Sequence, residues 1–170
     1  MILALAGAGR SIKSAMGNKD MDKSIQNRDE LFEAVKYVAL ETTRMAQKIV
    51  GNVFPIKSLT VFAHSQLEFE LLCEILAKIG KPYNYNNGPR VELYEPIEVG
   101  ENRIIHLRIR KPDPERPQVG SNDFENDYET FKSGYLSKFP DNLSLIKRPE
   151  YEMIELHDKD FDVLAYIVSN

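Results

Sequence analysis

Apolar and small residues recur at steps of three and four between Arg28 and Val50. Leu31, Phe32, Val35, Val38, Ala39, Thr42, Met45, Ala46 and Ile49 fall on one stripe, and this period predicts an amphipathic helix. Asn27 is placed to cap its start, Asp29 and Glu30 suit the positive end of the helix dipole, and Gly51 ends it. The stripe has to be buried against something later in the chain. SLTVFAHS then reads as a strand, and Ser65-Gln66-Leu67-Glu68 reads as a capping box that starts a second helix at once. Leu67, Leu71, Leu72, Ile75, Leu76 and Ile79 form its apolar face, and Gly80-Lys81-Pro82 stops it.

Two strands follow, RVELYEPIEV and RIIHLRIRK, with Gly100-Glu101-Asn102 as their turn. The order then recurs. QVGSNDFE reads as a strand, and Asp127 opens a short helix with Tyr128, Phe131, Tyr135 and Leu136 inward. LSLIKR, YEMIELH and VLAYIVS read as three closing strands, the last two joined by Asp158-Lys159-Asp160-Phe161-Asp162. The two series are offset by about sixty residues, which predicts an internal duplication whose halves share one core. The expected organisation is a flexible arm over residues 1–26 and a single domain over 27–170. Within it lie a long helix (27–51), a first unit (57–112) and a second unit (117–169), with the proline-rich PDPERP segment as the joint.

The chain has 170 residues, 42% apolar and 28% charged, which suits a folded domain rather than a disordered segment. Its 22 basic against 26 acidic residues offer no positive field to draw in nucleic acid. No apolar run approaches a membrane span, and MILALAGAGR lacks the basic start and long apolar stretch of a secretory signal. Gly7-Ala8-Gly9 imitates the opening of a dinucleotide-binding unit, but Ile12 stands where the third glycine is needed and a polar stretch follows. The lone Cys73 excludes a disulfide framework and reads as inert packing, so a cytoplasmic location is expected.

Strand parity carries the candidate chemistry. If Ile105, Leu107 and Ile109 face the helices, His106, Arg108 and Arg110 face the other way and line a pocket. The same parity turns Leu59, Val61 and Ala63 toward the helices, and Thr60, Phe62 and His64 toward the pocket. Two arginines on one strand face need exposure, carboxylate partners such as Asp123, Glu125, Glu92 or Glu155, or an anionic ligand. His106, Arg108 and Arg110 are therefore the candidate ligand-binding residues. His64, His106 and Asp123 (or Glu155) are a candidate metal set, against the plainer reading of His106 as a hydrogen-bonded pocket residue. Other signals are thinner. Asp158, Asp160 and Asp162 alternate as in a calcium loop but lack its glycine and terminal glutamate, so a solvated turn with an exposed His157 is expected. No Gly-x-Ser-x-Gly elbow accompanies the Ser, His and Asp residues. Asn84, Tyr85, Asn86 and Asn87 suit either a pocket rim or a plain loop.

A strand–helix–strand–strand–strand unit occurring twice resembles the vicinal oxygen chelate superfamily (the glyoxalase, bleomycin-resistance and dioxygenase group). The segment NNGPRVELYEPIEVGENRIIHLRIRKPDPERPQVGSNDFE is similar to the YecM-like branch, through Asn87-Gly88, the Tyr94–Val99 strand, the strand ending in Lys111-Pro112, and the joint. The resemblance implies an α+β fold. Two tandem βαβββ-type units would form a curved, partly open mixed sheet around a pocket, with an N-terminal helical extension. It also implies a divalent metal ion on the first and last strands of each unit, where this chain offers Ser58, Arg110, Asp123 and Ala165. Three readings follow. The first is a domain binding a small anion, a carboxylate or phosphate. The second is a metal-dependent lyase, isomerase or dioxygenase in which Asp123 or Glu155 moves the proton as catalytic residue. The third is a scaffold using the long helix or a sheet edge to form a homo-oligomer.

Overall fold

The computed structural model describes residues 24–83 and 88–170. Helix α1 (Arg28–Val50) begins where the Asn27 side chain accepts the Glu30 N–H, and ends at Gly51, whose φ of 76° is a left-handed turn open to glycine. Strand β1 (Ile56–Phe62) leads into α2 (Gln66–Ile79), and β2 (Gly80–Pro82), β3 (Arg90–Val99) and β4 (Asn102–Arg110) complete the first half. The second half is β5 (Gly120–Phe124), the one-turn α3 (Tyr128–Phe131) widening into a π-turn over Lys132–Leu136, then β6 (Leu143–Lys147), β7 (Glu152–Leu156) and β8 (Val163–Val168).

All eight strands form one open, curved, mixed sheet in the order β2-β3-β4-β1-β5-β8-β7-β6. Each half reads second, third, fourth, first strand from its edge to the middle, so the halves meet where β1 and β5 pair antiparallel. Within each half the first and last strands run parallel, β1 with β4 and β5 with β8. This is the α+β arrangement of two repeated units that the recurrence in the sequence predicts, preceded by a helix. Gly80-Lys81-Pro82 does more than stop α2, because it pairs with β3 as a short edge strand.

The helices share one face of the sheet. Leu31, Val35, Val38 and Met45 of α1 join Leu59, Val61, Leu107, Ile109, Ala165 and Ile167 in the main core, and Leu72 and Leu76 of α2 cover the first half. Phe54 packs against Phe124 and Phe131 with ring centroids 5.6 and 5.7 Å apart, sealing the second half. The apolar stripe of α1 is therefore spent inside this core rather than left for oligomer contacts.

Several local expectations are corrected. Ile104, not Ile105, is buried, because the β3–β4 ladder shifts register between Glu92 and Ile97 and flips the parity below His106. Leu67 is exposed in the first turn of α2, and the buried face there is carried by Glu68 and Phe69. His157 is half-buried with its Nε2 3.0 Å from Ser144 Oγ. The acidic turn is solvated at its tip, where Lys159 and Asp160 are exposed, and is also clasped to α1: Lys48 reaches Asp158 at 2.9 Å and Asp160 at 3.0 Å, and Tyr37 donates to Asp162 at 2.7 Å. The expected arm also closes earlier than residue 26, since Ile25 packs on the core. The glycine pair at 7 and 9 and the loop at 84–87 lie outside the described residues.

Glu68 shows why the chain docks at Ile25. Ser65 caps α2 by accepting the Glu68 N–H at 3.1 Å, as the capping box requires. The buried Glu68 carboxylate does not return to Ser65; it accepts Ile25 N–H at 2.7 Å and His64 N–H at 2.8 Å. Glu68→Ala strands both donors and is expected to lower the unfolding free energy by about 2 kcal/mol, while Glu68→Gln, which keeps an acceptor, recovers about half of it. Urea denaturation of the two variants checks this; equal losses in both would remove the acceptor role.

Candidate functional site

The sheet's other face carries a different set of side chains. Residues alternate across a strand, so the cross-strand pairs can be followed from β3 to β8. One row runs Arg90, Arg108, Thr60, Ser121, Leu164. The next runs Ser58, Asp123, Tyr166, Glu155, Ser144, with Glu92 and His106 paired at its first-half end. Phe62, Leu164 and Tyr166 form a second apolar cluster here, flanked by Ile146, Met153 and Val168, and every member comes from a strand. His106, Arg108 and Arg110 thus occupy the helix-free face, as parity predicts.

The arginines are unequal. Arg110 lies 3.3 Å from Asp113 and stacks over the Phe62 ring, 5.1 Å from its centroid. Arg108 has no such support. Its guanidinium makes no hydrogen bond or ion pair among the described residues, and neither does that of Arg90, its direct partner across β3–β4. The Nε atoms of both are buried without an acceptor. Burial first, and then the like charge of Arg90, hold the Arg108 pKa below its ordinary value, with Asp123 pulling the other way. Two neighbouring, partly buried cations, each with an Nε–H that meets no acceptor, are an unfavourable arrangement for an empty fold.

Asp123 on β5 is the carboxylate whose charge acts on Arg108. Its Oδ2 accepts from Ser58 Oγ at 3.0 Å. Burial pushes its carboxyl above the usual range despite the opposing pull of Ser58, Arg108, Arg90 and Lys57. Glu155 is already committed, accepting from Arg116 at 2.9 Å and from the Tyr166 hydroxyl at 2.9 Å. Burial, then Glu155, raises the Tyr166 pKa, so the phenol stays a donor. The His106 ring stacks on Tyr83, centroids 4.4 Å apart and 15° from parallel. The arrangement offers paired guanidinium donors for an oxyanion beside one reluctant carboxylate.

The fold has a solved counterpart. The chain is similar to a structure described as "Structural Genomics, Protein EC4020", with 12% sequence identity and a TM-score of 0.59, covering 82% of this chain and 86% of that one. At that identity the likeness shows the fold alone. No protein-family model and no curated protein sequence matches the chain.

The candidate metal set does not assemble. His64 ends β1 with Nε2 2.9 Å from the Gln118 carbonyl, His106 is stacked on Tyr83, and Asp123 is bonded to Ser58. Among the described residues no group of three or more His, Cys, Asp or Glu side chains is placed to hold a metal ion. The positions implied by the superfamily resemblance fare no better. Ala165 is buried on the helix side, its neighbour Tyr166 faces the site, and Arg110 is cationic. These residues do not fit a divalent ion.

Arg90, Arg116, Tyr166 and Ser58's bond to Asp123 complete the site beyond the residues singled out from the sequence. Alternation in VLAYIV already separates Leu164, Tyr166 and Val168 from Val163, Ala165 and Ile167. Arg90 carries no such signal, because its place opposite Arg108 depends on the β3–β4 register. Among the described residues, no helix is long and apolar enough to cross a membrane.

Proposed function

We infer that this chain is a vicinal-oxygen-chelate-like domain that binds a small oxyanion, a carboxylate or phosphate, on the helix-free face through Arg90 and Arg108. One observation carries the reading: Arg90 and Arg108 lie side by side across β3–β4, each with a buried Nε that has no acceptor, and neither makes an ion pair among the described residues. Arginine's planar fork suits bidentate oxyanion recognition, and desolvation strengthens such a bond once it forms. Arg110, held by Asp113, borders the site and adds positive field. The repeated strand–helix–strand–strand–strand order supports the superfamily resemblance, and the oxyanion reading rests on Arg90 and Arg108 rather than on the His64, His106 and Asp123 set, which the described residues do not bring together.

Phe62, Leu164 and Tyr166 already fill the middle of the helix-free face, which narrows the site to its first-half side. A thermal-unfolding panel of phosphate, acetate, malonate and citrate, at constant ionic strength with chloride as reference, tests the reading. A recognised anion at about a hundred times its Kd should raise Tm by about 5–10 °C. A flat response to the whole panel would overturn it.

A further inference from the structure

Tyr83 follows the edge strand β2, and its backbone N–H donates to the Arg90 carbonyl at 2.8 Å, which sets it directly across from Arg90. Arg90 in turn stands across from Arg108. Tyr83, Arg90 and Arg108 therefore make one cross-strand row on the helix-free face, each about 5 Å, one strand spacing, from the next. His106, two residues before Arg108 on β4, turns its ring onto that of Tyr83, with centroids 4.4 Å apart and planes 15° from parallel. The two rings come from either side of β3 and form an aromatic wall beside the guanidinium pair.

The core does not account for this wall. Tyr83 is 43% exposed and belongs to neither apolar cluster. Rings that serve the fold are spent differently. Phe54, Phe124 and Phe131 pack together in the main core, and Tyr37, Tyr128 and Tyr166 each donate a hydroxyl to a carboxylate. Phe62, on the helix-free face, is buried under Arg110. The Tyr83 hydroxyl makes no hydrogen bond among the described residues.

We propose, building on the oxyanion reading, that the ligand is an aryl acid, whose carboxylate docks on Arg90 and Arg108 while its flat ring packs on the Tyr83–His106 stack. An aryl acid carries its oxyanion and its ring close together, which suits the single strand spacing of about 5 Å between Arg90 and Tyr83. Aromatic rings pack offset or edge to face, and an exposed tyrosine beside the anion site is open to either arrangement. A saturated ring of the same size keeps the charge contact but has no π surface to offer. Glu92, exposed and across from His106, sets a negative charge near the rings, so the ring end of the ligand is uncharged. The arginines thus hold any small carboxylate, and the ring pair selects among them.

Benzoate and cyclohexanecarboxylate are the probes, because at neutral pH they carry the same charge on rings of similar size. Calorimetric titration of the full-length protein should give a Kd for benzoate about fivefold below that for cyclohexanecarboxylate. Tyr83→Leu exchanges the ring for an apolar chain at an exposed position. It should bring the two acids within about twofold of each other and leave cyclohexanecarboxylate within about twofold of its wild-type Kd. Tyr83→Phe should keep the preference, since the ring and not the hydroxyl makes the contact. Arg108→Met should weaken both acids by the same factor.

Benzoate bound no more tightly than cyclohexanecarboxylate by the wild type, which needs no variant, would overturn the aryl-acid assignment. So would a preference that survives Tyr83→Leu or is lost in Tyr83→Phe, or binding of acetate or phosphate without benzoate. Each of these results leaves the oxyanion site standing. Benzoate affinity unchanged in Arg108→Met, or no binding of benzoate, acetate or phosphate at all, would remove both.

Discussion

Gly120→Ala should cost about 3 kcal/mol or more of folding stability, a large loss for a single methyl group. Gly120 begins β5 where the two halves of the sheet meet, opposite Val61 of β1 and beside Val163 of β8. A Cβ built there would lie 2.3 Å from the Thr60 carbonyl oxygen and 2.9 Å from Val38 Cγ2. The first contact is with backbone in the middle of the sheet, and the second is with the helix that covers it. Relief would require β1 and β5 to part, or α1 to lift from the seam. Gly51 is a useful contrast, because its added Cβ would meet nothing within 4 Å. Its cost comes only from a φ of 76°, about 1 kcal/mol when alanine is placed there. Urea denaturation of both variants checks the order; a Gly120→Ala loss no larger than that of Gly51→Ala would contradict the packing described for the seam.

The same seam shows how much of the architecture is written locally. The period of α1, its Asn27 cap and the Gly51 stop are local signals, and they agree with the observed Arg28–Val50 boundaries. The recurrence of one supersecondary unit gives the mixed sheet, because neither half can bury its face alone. Parity then places His106, Arg108 and Arg110 on the face that the helices leave open. What fails are features set by pairing between distant segments. The register shift in β3–β4 exchanges Ile105 for Ile104 in the core and sets Arg90 opposite Arg108. His64 is taken by the Gln118 carbonyl just after the joint, 54 positions away, so the metal set loses a member. Glu68 reads as a routine capping residue until the chain before α1 is seen to bond to it.

Arg108→Met should have the second large effect, and its two parts point in opposite directions. Anion affinity should fall about 100-fold, roughly 3 kcal/mol, because the principal guanidinium donor is gone. Stability without ligand should rise by about 1–2 kcal/mol, since an apolar chain of similar length replaces a partly buried cation that makes no ion pair among the described residues and lies opposite Arg90. A salt-bridge arginine behaves otherwise. Arg116, 2.9 Å from Glu155, should lose stability when changed to methionine, because Glu155 then keeps only the Tyr166 hydroxyl. The pair of variants separates an arginine kept for a ligand from one kept for the fold.

The most direct measurement is the unfolding free energy of wild type and Arg108→Met by urea titration, each with and without the anion selected from the thermal panel. The account predicts that Arg108→Met is the more stable protein in plain buffer and that only the wild type gains when the anion is added. If Arg108→Met is less stable than wild type in plain buffer, or gains as much from the anion, Arg108 is a structural residue and the site lies elsewhere.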